Sequence, residues 1–165
     1  MPYIKREYRE IIDPSIDLLI HLSKPVPVLI EETIHVLVKS ARSIPEFEEN
    51  KGGILNYIIT RLCLGFLTKE SYKEMSKIRA AINDAHYELF IINTNLPHMY
   101  RYNKQHHSSI INYIIICIGC GFLLDDTCSE KSVIRAAMND ASDEWYRRKM
   151  APYEDKKIQE NGDVY

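Results

Sequence analysis

Apolar residues recur along most of this chain at the three-and-four spacing of helices, and in one stretch the pattern is written twice. Ile54-Leu55-Asn56-Tyr57-Ile58-Ile59 returns as Ile110-Ile111-Asn112-Tyr113-Ile114-Ile115, and Ile78-Arg79-Ala80-Ala81-Ile82-Asn83-Asp84-Ala85 returns as Ile134-Arg135-Ala136-Ala137-Met138-Asn139-Asp140-Ala141. A single displacement (113 − 57 = 56) aligns both blocks without a gap. A repeat of that length is one supersecondary unit that cannot bury its apolar face alone, so the two copies are expected to pack against each other. Each copy predicts a helical hairpin. Helix A covers about 54–67 and 110–124 and is apolar nearly all round, as a centrally buried helix is. Helix B begins at Ser71 with Glu74 three residues on, and at Thr127 with Glu130 three residues on, two capping boxes that fix its register. Its seam is Met75, Ile78, Ile82, Ala85, Leu89 and Ile92, answered by Ile134, Met138, Ala141 and Trp145.

The flanking segments differ from the repeats. Asp13-Pro14-Ser15 predicts a helix start, with Asp13 as cap and Pro14 at the first helical position, and Pro25 and Pro27 close that helix. A second helix over about 28–41 is expected to turn Leu29, Thr33, Val36 and Leu37 inward. Residues 43–53, with Pro45 and Gly52-Gly53, read as an acidic hinge loop. After Pro97 comes a basic linker to Ser109. The last helix is expected to stop before Pro152, leaving 153–165 as a polar, solvated tail. The expected organisation is one all-α domain: a leader pair (1–50), repeat 1 (54–97), repeat 2 (110–152) and the tail.

Composition narrows the classes. The chain has 165 residues, 45% hydrophobic and 27% charged, with a net charge of −2, so no global field draws it to nucleic acid or anionic membrane. Met1-Pro2-Tyr3-Ile4-Lys5-Arg6 has no apolar run behind it, which argues against a secretory signal and for a cytoplasmic chain. The run 110–124 is short of the ~20 apolar residues that span a bilayer. Cys63, Cys117, Cys120 and Cys128 fall in or beside apolar helices and are expected to be free. Cys117-Ile118-Gly119-Cys120 has metal-like spacing but sits inside a helix, so no metal is expected, nor any cofactor.

Candidate chemistry lies on the duplicated helix B. Arg79 and Asn83 are one turn apart, as are Arg135 and Asn139, so each copy presents a guanidinium and an amide on one face. Around a pseudo-two-fold axis the two arginines are expected to converge on one anionic ligand, with Tyr57, Tyr113 and Tyr146 as stacking surfaces. The plainer alternative pairs each arginine with a carboxylate between helices. Arg147 and Arg148 add a basic cluster, with Asp143 and Glu144 at salt-bridge spacing on the same helix. Asn56 and Asn112, each inside an apolar helix, are expected to hydrogen-bond across the repeat interface. Arg79 with His86 resembles the arginine-then-histidine pattern of helical ribonucleases of the HEPN superfamily, although the second copy has Ser142 in the histidine's place.

The opening Met1-Pro2-Tyr3-Ile4-Lys5, the block Leu55-Asn56-Tyr57-Ile58-Ile59-Thr60-Arg61-Leu62, and the ending Glu144-Trp145-Tyr146-Arg147-Arg148, Ala151-Pro152-Tyr153-Glu154-Asp155-Lys156-Lys157-Ile158 and Glu160-Asn161-Gly162-Asp163-Val164-Tyr165 resemble a family of short, uncharacterised proteins of bacteriophages and bacterial mobile elements. This chain departs from them by carrying the core unit twice and by its longer leader. The resemblance implies a phage or mobile-element origin, in the host cytoplasm, and supplies no catalytic residues. The expected function is therefore a non-enzymatic binding protein, in its most concrete form one that sequesters a small anionic nucleotide-type defence signal. A module that inhibits or adapts a host protein and the ribonuclease are the alternatives. The apolar central helices also lead us to expect a homo-oligomer.

Overall fold

The computed structural model describes residues 4–22, 27–91, 107–124 and 127–162. They form an all-α bundle: α1 (Arg6–His21), α2 (Pro27–Arg42), α3 (Phe47–Phe66), α4 (Tyr72–Ile91), α5 (His107–Phe122), α6 (Cys128–Trp145), a π-helical turn (Tyr146–Met150) and α7 (Ala151–Asn161). Among the described residues there is no strand, and no helix is long and apolar enough to cross a membrane. Ser71 and Thr127 cap α4 and α6 as predicted, accepting from the backbone N–H of Glu74 at 3.3 Å and of Glu130 at 3.2 Å. The two glutamates reach further back than an ordinary capping box, to Lys69 N and Leu124 N.

The repeats do not close on themselves as hairpins. The helix A of each copy lies along the helix B of the other, α3 on α6 and α5 on α4, while α4 crosses α6 at the centre. Helices A and B of one copy barely touch. This exchange buries both apolar seams between copies, with Ile58, Ile59, Ile82, Ile115, Ile134 and Met138 fully enclosed.

The leader belongs to the same symmetry. A displacement of 18 (31 − 13 = 18) lays α1 on α2: Ile12, Ser15, Ile16 and Leu19 are buried, and so are Ile30, Thr33, Ile34 and Leu37. Tyr57 of α3 donates to Asp13 of α1 at 2.9 Å, and its counterpart Tyr113 of α5 donates to Glu31 of α2 at 2.7 Å. A Cβ on Gly65 would lie 2.2 Å from Ile20 Cδ1, and one on its counterpart Gly121 would lie 2.7 Å from Val38 Cγ2. Bare backbone at these two places lets a leader helix close onto each central helix. A pseudo-two-fold axis therefore relates α1, α3 and α4 to α2, α5 and α6. The central helices expected to need another subunit are covered by the leader instead.

Several expected boundaries move. Helix α1 starts at Arg6, not Asp13, and Pro14 sits inside it on the exposed side. A proline there removes one hydrogen bond, but the continuous buried face of Tyr8, Ile12, Ile16 and Leu19 outweighs that loss. Leu29 and Val36, expected inward, are exposed. The hinge loop is largely helix: α3 begins at Phe47, whose ring meets Phe122 with centroids 5.2 Å apart, and Gly52-Gly53 lie within it. The polar tail is mostly α7, which continues α6 through the π-helical turn. The Ala151 N–H bonds to Tyr146 O in the wider π pattern, so Pro152 falls in the first turn of α7, where its missing N–H is tolerated. The seam's Ile92 and linker residues 97–106 lie outside the described residues, as do 163–165.

Candidate functional site

The α4–α6 crossing carries the polar groups singled out in the sequence. Ser142 Oγ donates to Asn83 Oδ1 at 2.7 Å, and buried Trp145 donates its indole N–H to Met75 O at 2.9 Å. With residue 83 opposite 142 and 75 beside 145, the helices run antiparallel. One end of the crossing holds Arg79, whose guanidinium lies 4.6 Å from the centroid of the Tyr146 ring. Its Nε is buried without a hydrogen-bond partner, and among the described residues no carboxylate pairs with it. Arg135 belongs to the other end. It lies beside His86, whose imidazole is held below its ordinary value by burial and secondarily by that guanidinium.

The two arginines therefore do not converge. Arg135 is 11 residues from Tyr146 (146 − 135 = 11), which is about 16 Å of helix. The antiparallel crossing that makes the copies equivalent also sends equivalent side chains to opposite ends. The arginine and histidine of the ribonuclease pattern lie two turns apart on one face of α4, Arg79 against the Tyr146 ring and His86 beside Arg135 of the other copy.

Most of the remaining candidates are engaged inside the fold. The Tyr57 hydroxyl is pushed up to about 12 by burial and by its bond to Asp13, and Tyr113 is raised by burial and Glu31. Asn83 is taken by Ser142, whereas Asn139 is exposed on α6. Asn112 reaches across to Ala81 O at 3.4 Å as expected, but Asn56 accepts from Thr60 within its own helix. Arg147 and Arg148 both bind the buried carboxylate of Glu144, Arg147 through two bonds of 2.8 and 3.0 Å. All four cysteines are free, and burial pushes the Cys117 thiol up to about 11.

What the sequence reading missed is the aromatic pair formed across α4 and α7. Tyr72, at the start of α4, and Tyr153, on α7, meet at 5.8 Å between ring centroids with a tilt of 38°, Lys157 sits over Tyr153, and Lys149 of the π-turn pairs with Glu70. Tyr146 is fixed by donating to Glu154 at 2.7 Å. Part of the signal was present in Tyr153, within a segment read as solvated tail, but only the folding of that segment as α7 brings Tyr153 to Tyr72 of α4. A cleft of about 490 Å³ also opens between α3 and α6, lined by Gly52, Gly53, Asn56, Asp140, Asp143 and Arg147. Its acidic wall does not suit an anion.

The Glu144 cluster gives a pH test. Hydrogen bonds from Arg147, and then from Arg148, hold its carboxyl down at about 2 although burial opposes them. A folded-state value below the unfolded one means stability that is full above the ordinary carboxylate range and is lost as pH falls toward about 2. Urea unfolding of the wild type is expected to weaken progressively from about pH 4.5 downward, and Glu144→Gln to flatten that part of the profile.

The sequence pattern of one family, described as a domain of unknown function (DUF6899), matches residues 1–108 and again residues 99–164. Neither the curated proteins nor the solved structures contain a match.

Proposed function

This chain belongs to the DUF6899 family, and from that premise we propose that it is a non-enzymatic binding protein whose ligand site is the Arg79–Tyr146 end of the α4–α6 crossing. The observation that carries this reading is a guanidinium stacked on a tyrosine, with a buried Nε and no carboxylate to neutralise it among the described residues. An arginine so placed has its charge and its planar donor edge available for an oxyanion, and phosphate takes two such N–H bonds at once. Tyr72, two turns from Arg79 on α4, meets Tyr153 of α7, and this pair offers a further aromatic surface. The ligand class is a phosphate-bearing, base-containing small molecule of the nucleotide type. The Tyr146–Met150 π-turn sets Tyr146 against Arg79, and π-turns recur at functional sites.

The resemblance of both ends and the repeats to phage and mobile-element proteins supports an anti-defence role, sequestering a nucleotide signal in the host cytoplasm. The alternative is a module that inhibits or adapts a host protein through the helix B face and the tail; the apolar seam of helix B is buried between the copies, which leaves its outer side and α7 for such a partner.

Calorimetric titration with mononucleotides, cyclic dinucleotides and inorganic phosphate tests the reading. The wild type is expected to bind a nucleotide, Arg79→Ala to lose about tenfold or more in affinity, and Arg79→Lys to recover only part, since a point charge does not replace the fork. Arg135→Ala and His86→Ala should bind as the wild type does. A wild type that binds none of these probes, or an Arg79→Ala protein that binds them unchanged, overturns it. RNA cleavage abolished by His86→Ala would establish the ribonuclease in its place.

A further inference from the structure

The α1–α2 pair leaves apolar side chains in water in a symmetric arrangement. Ile11 and Leu18 on α1 are 39% and 51% exposed, and Leu29 and Val36 on α2 are 40% and 52% exposed. These are the same positions under the displacement of 18 that relates the two helices (29 − 11 = 18, 36 − 18 = 18). Each pair is seven residues apart, two helical turns, and so shares a face. On α1 the flank toward α3 is marked by Asp13 and Asp17, which bind Tyr57 and Arg61. Ile11 and Leu18 lie on the other flank, toward α2. On α2, Glu31 marks the flank toward α5, and Leu29 and Val36 lie on the flank toward α1. The four residues therefore line the outer lip of the α1–α2 seam.

Each of these helices is about 24 Å long, and the few residues between His21 and Pro27 cannot return along that length, so α1 and α2 run antiparallel. The axis that exchanges them is normal to both and leaves the molecule through the middle of the lip.

We propose that this lip docks a second copy of the chain, with α1 of each copy over α2 of the other. The partner that best matches a two-fold apolar patch carries the same patch at the same spacing. Face to face, each contact made by Ile11 or Leu18 is then repeated by the true axis and echoed by the internal one. Rim charges select the orientation. Exposed Glu7 and Glu10 sit at the end of α1 that lies beside the Lys39 end of α2. Turning the second copy about an axis along the helices sets those glutamates over the partner's Lys39. The same turn sets Glu32 over the partner's Pro14, so that no two glutamates are forced together.

Sedimentation velocity across a concentration series tests the proposal. The wild type should dimerise, and Leu18→Glu or Val36→Glu should each raise the dissociation constant by about tenfold or more, because a carboxylate would be stripped of water at the contact. Both side chains are half in water already, so circular dichroism should show folded protein. Lys39→Glu should weaken the dimer, and adding Glu7→Lys with Glu10→Lys should restore it. Tyr87→Ser, at an exposed aromatic position elsewhere, should change nothing. A wild type that stays monomeric at its highest soluble concentration, or a dimer indifferent to Leu18→Glu and Val36→Glu, overturns the proposal. So does a stable complex in which another protein occupies this lip.

Discussion

Alanine in place of Trp145 is expected to lower the unfolding free energy by about 3–5 kcal/mol, a third or more of what a domain of this size commonly has. The side chain is completely buried where α6 meets the first turn of α4, and its indole N–H bonds Met75 O at 2.9 Å. Truncation removes a large apolar surface and opens a cavity that two crossing helices cannot fill without shifting. It also deprives a buried carbonyl of one partner. Trp145→Phe separates the two effects: most of the ring volume remains while the donor is lost, and the cost should fall to about 1–2 kcal/mol. Urea unfolding read by circular dichroism gives both values. An alanine variant within about 1 kcal/mol of the wild type would mean that the α4–α6 crossing is not what holds the copies together.

The same crossing shows what the sequence could and could not reveal. Helices A and B were legible because the repeat is close to literal and because Ser71 and Thr127 carry their capping signals in both copies. Their partners were not legible. A seam such as Ile78, Ile82 and Leu89 is equally satisfied by its own helix A or by the other copy's, and identical units are blind to that choice. The structure takes the crossed option, which sends Arg79 and Arg135 to opposite ends and leaves Arg79 alone with Tyr146. The leader's kinship was hidden differently. Only residue character survives between α1 and α2, as Ile12 with Ile30 and Ser15 with Thr33, and reading Asp13-Pro14 as a helix start cut α1 in half. Aligning the two leader helices position by position would have exposed the match. Helix α7 has no buried residue, so no apolar period marked it; it continues α6 through the π-turn. Tyr57 and Tyr113, read as stacking surfaces, are instead the hydroxyls that bind the leader to the repeats.

A second large effect is expected at Lys51, which the sequence placed in a solvated hinge. Its side chain is only 6% exposed, at the α3–α6 contact, where the ammonium binds Glu48 of its own helix and Glu130 of α6. Burial alone would lower the Lys51 value, but the hydrogen bonds it donates to both carboxylates leave it raised overall, and Lys51 in turn lowers Glu130. Glu130→Ala strands this ammonium with Glu48, which is largely in water and cannot replace a partner held between helices. The expected cost is about 3 kcal/mol, at the lower end for a broken buried pair because Glu48 remains. Replacing both partners should behave differently. Lys51→Met with Glu130→Gln removes the stranded charge and keeps an acceptor for Leu124 N, so the double variant should recover to within about 1–2 kcal/mol of the wild type. Urea titration of the wild type, Lys51→Met, Glu130→Gln and the double variant at neutral pH closes the cycle, with Glu130→Ala measured beside them. If Glu130→Gln alone is as stable as the double variant, the Lys51 charge is already satisfied by Glu48, and any extra loss in Glu130→Ala comes from the Leu124 N bond that glutamine keeps. If the double variant is the more stable of the two, desolvation of Lys51 sets the size of the effect, and the α3–α6 contact tolerates that cation only while Glu130 faces it.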